Sequence, residues 1–196
     1  MRLAVAALAF AAGFAQAAPV AFVADIHGSA TIEGNGKLNF LAEIEAGTRL
    51  LLGSGATAAI TYAATGSEFT IAGPGEFLVS PKEVTAEKGS APKKRSVGTL
   101  SDPAVVSKVS RNAAASLRMR SIAPAPPASP EMRLESLPPD ARARAEKSRA
   151  AAHTFPERVV HAMLLEQLGA SYDARKAWGE LSRERPDLPE LAALAR

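Results

Sequence analysis

The sequence contains no cysteine. A disulfide framework, thiolate metal sites and a cysteine nucleophile are therefore excluded. Histidine is almost as scarce: His27, His153 and His161 are the three in the chain, and they show no HExxH or comparable ligand spacing. They read as surface or helix-packing side chains. Aromatic residues make up 5% of the chain and Trp178 is the one tryptophan, whereas alanine occurs 42 times. The core must then be built mostly from small and aliphatic side chains, with Trp178 inside it. A net charge of +3 is too small for the basic surface that nucleic-acid binding needs. There is no P-loop, no G-x-S-x-G and no calcium-loop pattern, so no cofactor is implied. Glu43 and Glu45 alternate as a carboxylate pair could. A retaining glycosidase, however, sets its carboxyls ~5 Å apart beside a sugar cleft, and the short, aromatic-poor runs around this pair offer no cleft. The chain reads as non-catalytic.

What is present begins with an address. Arg2 precedes an unbroken apolar stretch from Leu3 to Phe14, and Ala15-Gln16-Ala17 supplies small residues at the cleavage positions. Residues 1–17 are expected to be a secretory signal peptide, cut between Ala17 and Ala18. An uncleaved anchor is the alternative, because residues 3–24 carry no charge over about the length of a spanning helix. Pro19 and the period-two alternation of Val20, Phe22, Ala24 and Ile26 weigh against it. No other apolar run approaches ~18 residues, so no stable membrane span is expected after processing. Export without cysteine suits a bacterial periplasm.

The 196 residues allow one domain or a small domain with an appendage. Eleven of the 14 glycines lie between Gly28 and Gly98, and six of the 14 prolines lie within 121–139. Apolar pairs such as Leu50 and Leu52, Ile60 and Tyr62, Phe69 and Ile71, and Phe77 and Val79 are each followed by turn residues. Gly34-Asn35-Gly36 is a hairpin signal. Turns about every ten residues predict a small all-β sandwich or roll over 18–100. In this region the runs "VADIHGSATIEG", "IEAGTRLLLGSGATAAITYAATGSEFTIAGPGEFLVSP" and "VTAEKG" resemble a FecR-type periplasmic domain over residues 20–89. Gly28, Gly47, Leu50, Gly53, Ala58, Ile60, Gly66, Ile71 and Pro74 stand at that family's glycine and apolar positions. The name-giving proteins carry a cytoplasmic anti-sigma segment and a transmembrane helix ahead of this domain. Here a signal peptide stands in that place, so their membrane-spanning signalling does not carry over.

Residues 88–120 hold Lys88, Lys93, Lys94, Arg95, Lys108, Arg111, Arg118 and Arg120 against Asp102 alone, while 18–87 are net acidic. Lys93, Lys94, Arg95, Arg118 and Arg120 could form a strip for an anionic ligand or partner. The simpler reading folds that charge back on the acidic β region. Ser101-Asp102-Pro103 starts a short amphipathic helix over 101–120, with Val105, Val106, Val109, Ala113 and Leu117 on one face. A proline-rich linker is expected over 121–139.

The remainder, 140–196, reads as helical. Pro156-Glu157 opens a helix with Val159, Val160, Met163, Leu164 and Leu168 as its stripe, and Gly169 is placed to end it in the left-handed region. A second helix buries Ala174, Ala177, Trp178 and Leu181, and Pro186 stops it. This pair resembles a single tetratricopeptide-type repeat over 155–188: Ala162, Gly169, Ala174, Trp178 and Pro186 match its small, turn, bulky and terminating positions. Arg158 replaces the aromatic usual near its start. The resemblance implies protein–protein contact, and a lone repeat must pack on something else.

The expected protein is thus α+β: an exported, periplasmic, non-catalytic adaptor or regulatory partner of another envelope protein. The alternative is a module that holds cell-wall polymer or polysaccharide through 88–120.

Overall fold

The computed structural model describes residues 19–34, 36–100, 102, 104–119 and 132–196. Ala17, Ala18 and Arg120, the side chain of Arg118, and most of the expected linker lie outside the described residues.

Among the described residues ten strands come first along the chain. They are β1 (Pro19–His27), β2 (Ala30–Ile32), β3 (Gly36–Lys37), β4 (Glu43–Glu45), β5 (Arg49–Leu52), β6 (Thr57–Tyr62), β7 (Ser67–Ala72), β8 (Gly75–Val79), β9 (Val84–Lys88) and β10 (Lys93–Ser96). They build two five-stranded antiparallel sheets, ordered β10-β7-β6-β1-β4 and β3-β2-β5-β8-β9. The helices are α1 (Ala104–Met119), α2 (Pro139–Ala151), α3 (Phe155–Leu168), α4 (Ser171–Glu184) and α5 (Pro189–Leu194). The architecture is therefore α+β, with a sandwich-like pair of sheets.

The two sheets have different environments, and their burial patterns show why. In β5, Leu50 and Leu52 are buried while Arg49 and Leu51 face water. That is the alternation of a sheet covered on one face. In β1, Ala21, Phe22, Val23 and Ala24 are buried consecutively, and in β6 burial runs unbroken from Ala58 to Tyr62. Strands buried on both faces need a second cover, and α3 lies on β1 while α1 lies against β4. The period-two reading of β1 captured only one of its two buried faces.

The helices are consequently not a separate unit. One hydrophobic cluster runs from Phe22, Ile60 and Phe77 through Val105 and Val109 to Val159, Met163, Trp178 and Leu191. Phe40 and Phe155 meet across the junction, with ring centroids 6.2 Å apart. α1 also packs on α5, so the segment after the sheets touches the last helix described. The stretch expected to be linker ends earlier than 139. A 3-10 turn at Leu134–Ser136 leads to the buried Leu137, which joins Ala145, Leu165, Ala170 and Ala174 in a second small cluster. That cluster gives α2, polar nearly all round, the partner it needs.

Close backbone approach fixes one turn between the sheets. A Cβ on Gly73 would lie 2.0 Å from the Gly53 carbonyl oxygen, while the Gly73 N–H donates to Ala56 O at 2.8 Å. Gly73→Ala must push two backbone segments apart, and overpacking of this kind costs about 1–3 kcal/mol. Urea denaturation is expected to show the loss as a lower midpoint with an unchanged slope.

Candidate functional site

The junction between helices and first sheet concentrates the polar chemistry of the molecule. At its centre is Arg185, at the C-cap of α4 and 8% exposed. The turn Arg185-Pro186-Asp187 ends the helix and aims the guanidinium at β1. Nη2 donates to the Ile26 carbonyl at 2.8 Å and to Asp187 Oδ2 at 2.7 Å. Nε donates to Asp187 Oδ1 at 2.8 Å, and Nη1 donates to Asp25 Oδ1. Nη1 also lies 3.0 Å from His27 Nε2, which is itself 3.4 Å from Asp25 Oδ2. The guanidinium carbon sits 5.3 Å from the Phe155 ring centroid. The hydrogen bond from Arg185 holds the Asp187 carboxyl below its ordinary value, and the pairing pushes Arg185 further up. A buried cation is tolerable only when satisfied in this way.

A second polar contact lies under the start of α3. Glu68 on β7 is fully buried, and Arg95 on β10 answers it with Nε and Nη2 at 2.6 and 3.0 Å. Arg95 Nη1 also approaches Glu157 at 3.9 Å. Glu157 accepts the N–H groups of His153 and Thr154, at 2.9 and 2.8 Å, where the first turn of α3 leaves donors unpaired. Burial opposes ionisation of Glu157, but those N–H groups and the Arg95 charge outweigh it and hold its carboxyl below the ordinary value. A depressed carboxylate stabilises the fold fully above its unfolded value, 4.5, and the contribution is lost as pH falls through the folded value. Glu157→Gln is expected to cost about 1 kcal/mol at neutral pH and to flatten the acid limb of stability below 4.5. Thermal melts across that range would measure it.

These geometries decide where the expected site residues go. Arg95 is not part of an open strip: it is bonded to its own chain. Lys94 reaches over the Phe69 ring at 5.4 Å, and Lys93 is exposed on the edge strand β10. Lys88 pairs with Glu76 at 2.8 Å. Gly169 is the C-cap of α3 at φ 81°, and the Ala170 N–H closes the turn on Leu165 O at 3.0 Å. Trp178 is 0% exposed, within the main core. Glu43 and Glu45 are both exposed, and Glu43 accepts from the Ser107 hydroxyl on α1.

Sequence reasoning missed Arg185, Asp25 and Glu68. Arg185 was legible only as the end of a helix before Pro186, and Glu68 as one polar residue alternating with Phe69 and Ile71. Their partners lie 160 and 27 positions away, and nothing local announces either pairing.

Two concavities flank the junction. One, about 230 Å³, lies among α2, α3 and α4 and is lined by His161, Arg149, Arg158, Asp173 and Glu180 among others. Burial and the nearby Arg149 charge keep His161 below its ordinary value, and its Nδ1 lies 3.2 Å from Ser148 Oγ. The other, about 430 Å³, opens where β1 begins and β6 ends, beside Tyr62, Val106 and Ser107. The Tyr62 hydroxyl lies 2.8 and 2.7 Å from the carbonyl oxygens of Ser80 and Glu83, which share its one proton, and burial pushes its phenol above its ordinary value. Among the described residues no group of three or more His, Asp or Glu side chains is arranged to hold a metal ion, and no helix is long and apolar enough to cross a membrane.

The class this defines is an α+β protein with two facing antiparallel sheets, one of them roofed by helices through a buried arginine. No family model, curated protein or solved structure matches the chain.

Proposed function

We propose that the protein is an exported, non-catalytic adaptor or regulatory partner in the bacterial envelope, working through protein–protein contacts. In this reading a FecR-like sandwich carries a tetratricopeptide-like hairpin, and processing between Ala17 and Ala18 releases the chain into the periplasm. The observation that supports it is the fusion of α3 and α4 to the sheets through one core and the Arg185 contacts. A hairpin held this rigidly presents a fixed surface, which lowers the ordering cost of binding a partner.

The test is recovery of the mature chain from periplasm under mild conditions. A stoichiometric protein partner, with a mature terminus reading APVAF, is the expected result. Retention on wall polymer with no protein would overturn the reading in favour of a polymer-binding module.

A further inference from the structure

The outer side of α4 separates its charges. Asp173 is turned inward, accepting the Leu134 N–H at 2.6 Å, and Glu180 lines the cavity shared with α2 and α3. Glu184 pairs with Arg158 at 2.6 Å. The acidic side chains of α4 thus lie on the flank that meets the other helices, and Lys176 stands at the border, lining that cavity as well as the next. On the adjacent flank Tyr172, Lys176, Gly179 and Arg183 follow one another at three- and four-residue spacing, so they share one helix face. They line an open concavity of about 340 Å³, closed on its other side by Ala195. Gly179 makes the concavity: its missing side chain leaves the space in front of Ala195 unfilled. Arg183 donates Nε–H to the Gly179 carbonyl at 3.2 Å, which lays it along the floor. At the far end Arg133 stacks on Tyr172, 4.3 Å from the ring centroid.

We propose that this groove, from Tyr172 to Arg183, docks a short acidic peptide segment of a partner protein. The proposal rests on the adaptor reading and names the chemistry of its partner. The charge is of one sign on this face, so the occupant must be anionic. Tyr172 and Arg183 are about three turns apart, ~16 Å at 1.5 Å per residue, which is the span of about five extended residues. A membrane surface fits less well, because the face is concave and Tyr172, at 38% exposure, is its one exposed aromatic. A nucleic acid would need free aromatic faces for stacking, and Arg133 already occupies one face of Tyr172.

The probe is a fluorescein-labelled oligoglutamate peptide, titrated with the full chain and followed by anisotropy. Binding is expected at low ionic strength and should weaken as salt shortens the screening length to about 8 Å at 0.15 M. Lys176→Glu with Arg183→Glu should weaken it about tenfold or more, with circular dichroism unchanged. Tyr172→Ala should weaken it to a smaller extent. Lys93→Glu with Lys94→Glu, on β10, should leave it unchanged. No peptide binding, equal loss in the two charge-reversed variants, or binding only to vesicles containing phosphatidylglycerol would each overturn the proposal. A partner cross-linked to another face of the chain while the peptide fails would overturn this docking mode and leave the adaptor reading standing.

Discussion

Trp178→Ala is expected to unfold the sheets together with the helices. The indole is completely buried in a cluster that also contains Phe22, Ile60 and Phe77 of the sheets. Truncating a buried tryptophan costs ~3–5 kcal/mol, a large share of the ~5–15 kcal/mol that holds a domain folded. Had the helices formed an independent hairpin, only their signal would be lost. With one core, helical and strand signals should fall in a single transition at lower temperature, which thermal melts by circular dichroism can follow. The indole Nε1 has no hydrogen-bond partner among the described residues, so Trp178→Phe loses packing alone and should cost about 1 kcal/mol. A melt in which strand signal survives after helical signal has gone would refute the shared core.

Arg185→Met should destabilise the protein by about 3 kcal/mol, near the low end of what removing one partner of a buried ion pair costs. Methionine keeps much of the apolar stem beside Phe155 but leaves the Ile26 carbonyl unanswered and Asp25 without its cation. Asp25 is partly exposed, at 18%, so water recovers some of the loss. Asp25→Asn in the Arg185→Met background should restore part of the stability by removing the stranded charge. Arg185→Lys should not rescue, since one ammonium cannot reach Asp25, Asp187 and the Ile26 carbonyl at once. Urea denaturation of the wild type, Arg185→Met, Asp25→Asn and the double variant forms a cycle, and strict additivity would show that Arg185 and Asp25 are not coupled.

Much of the local structure was legible in the sequence. Turn glycines marked most strand ends, Pro156-Glu157 marked the start of α3, and Gly169 marked its end because glycine reaches positive φ without a Cβ clash. The small residues of β1 and β6 were harder. Ala21, Ala24, Ala58 and Ala59 carry little hydrophobic signal, so the two faces they help to build look neutral although both are buried. The docking of helices on sheets was not legible, because it depends on Arg185 meeting Asp25 and on Arg95, paired with Glu68 across two strands, approaching Glu157 of α3. Charge counting left Arg95 either in an open strip or folded back on the acidic β region, without naming a partner. Its true neighbour is a buried carboxylate, and a composition cannot show that. The groove on α4 was half legible: the spacing of Tyr172, Lys176 and Arg183 is in the sequence, but the inward turn of Asp173 and Glu180 is not.

The contact of α1 with α5 has a consequence for how the chain is made. A polypeptide emerges in order, and the partner of α1 is encoded about seventy residues after it, after α2, α3 and α4. Until then α1 lacks its contact with α5, although β4 and, later, α3 can already meet it. Partial folding during emergence would leave that side of α1 exposed, and long-range contacts of this kind also slow folding. Delivery of the nascent chain in an unfolded state, with collapse only after α5 has arrived, avoids that interval. A ribosome stalled before Pro189 would hold a product prone to association through α1.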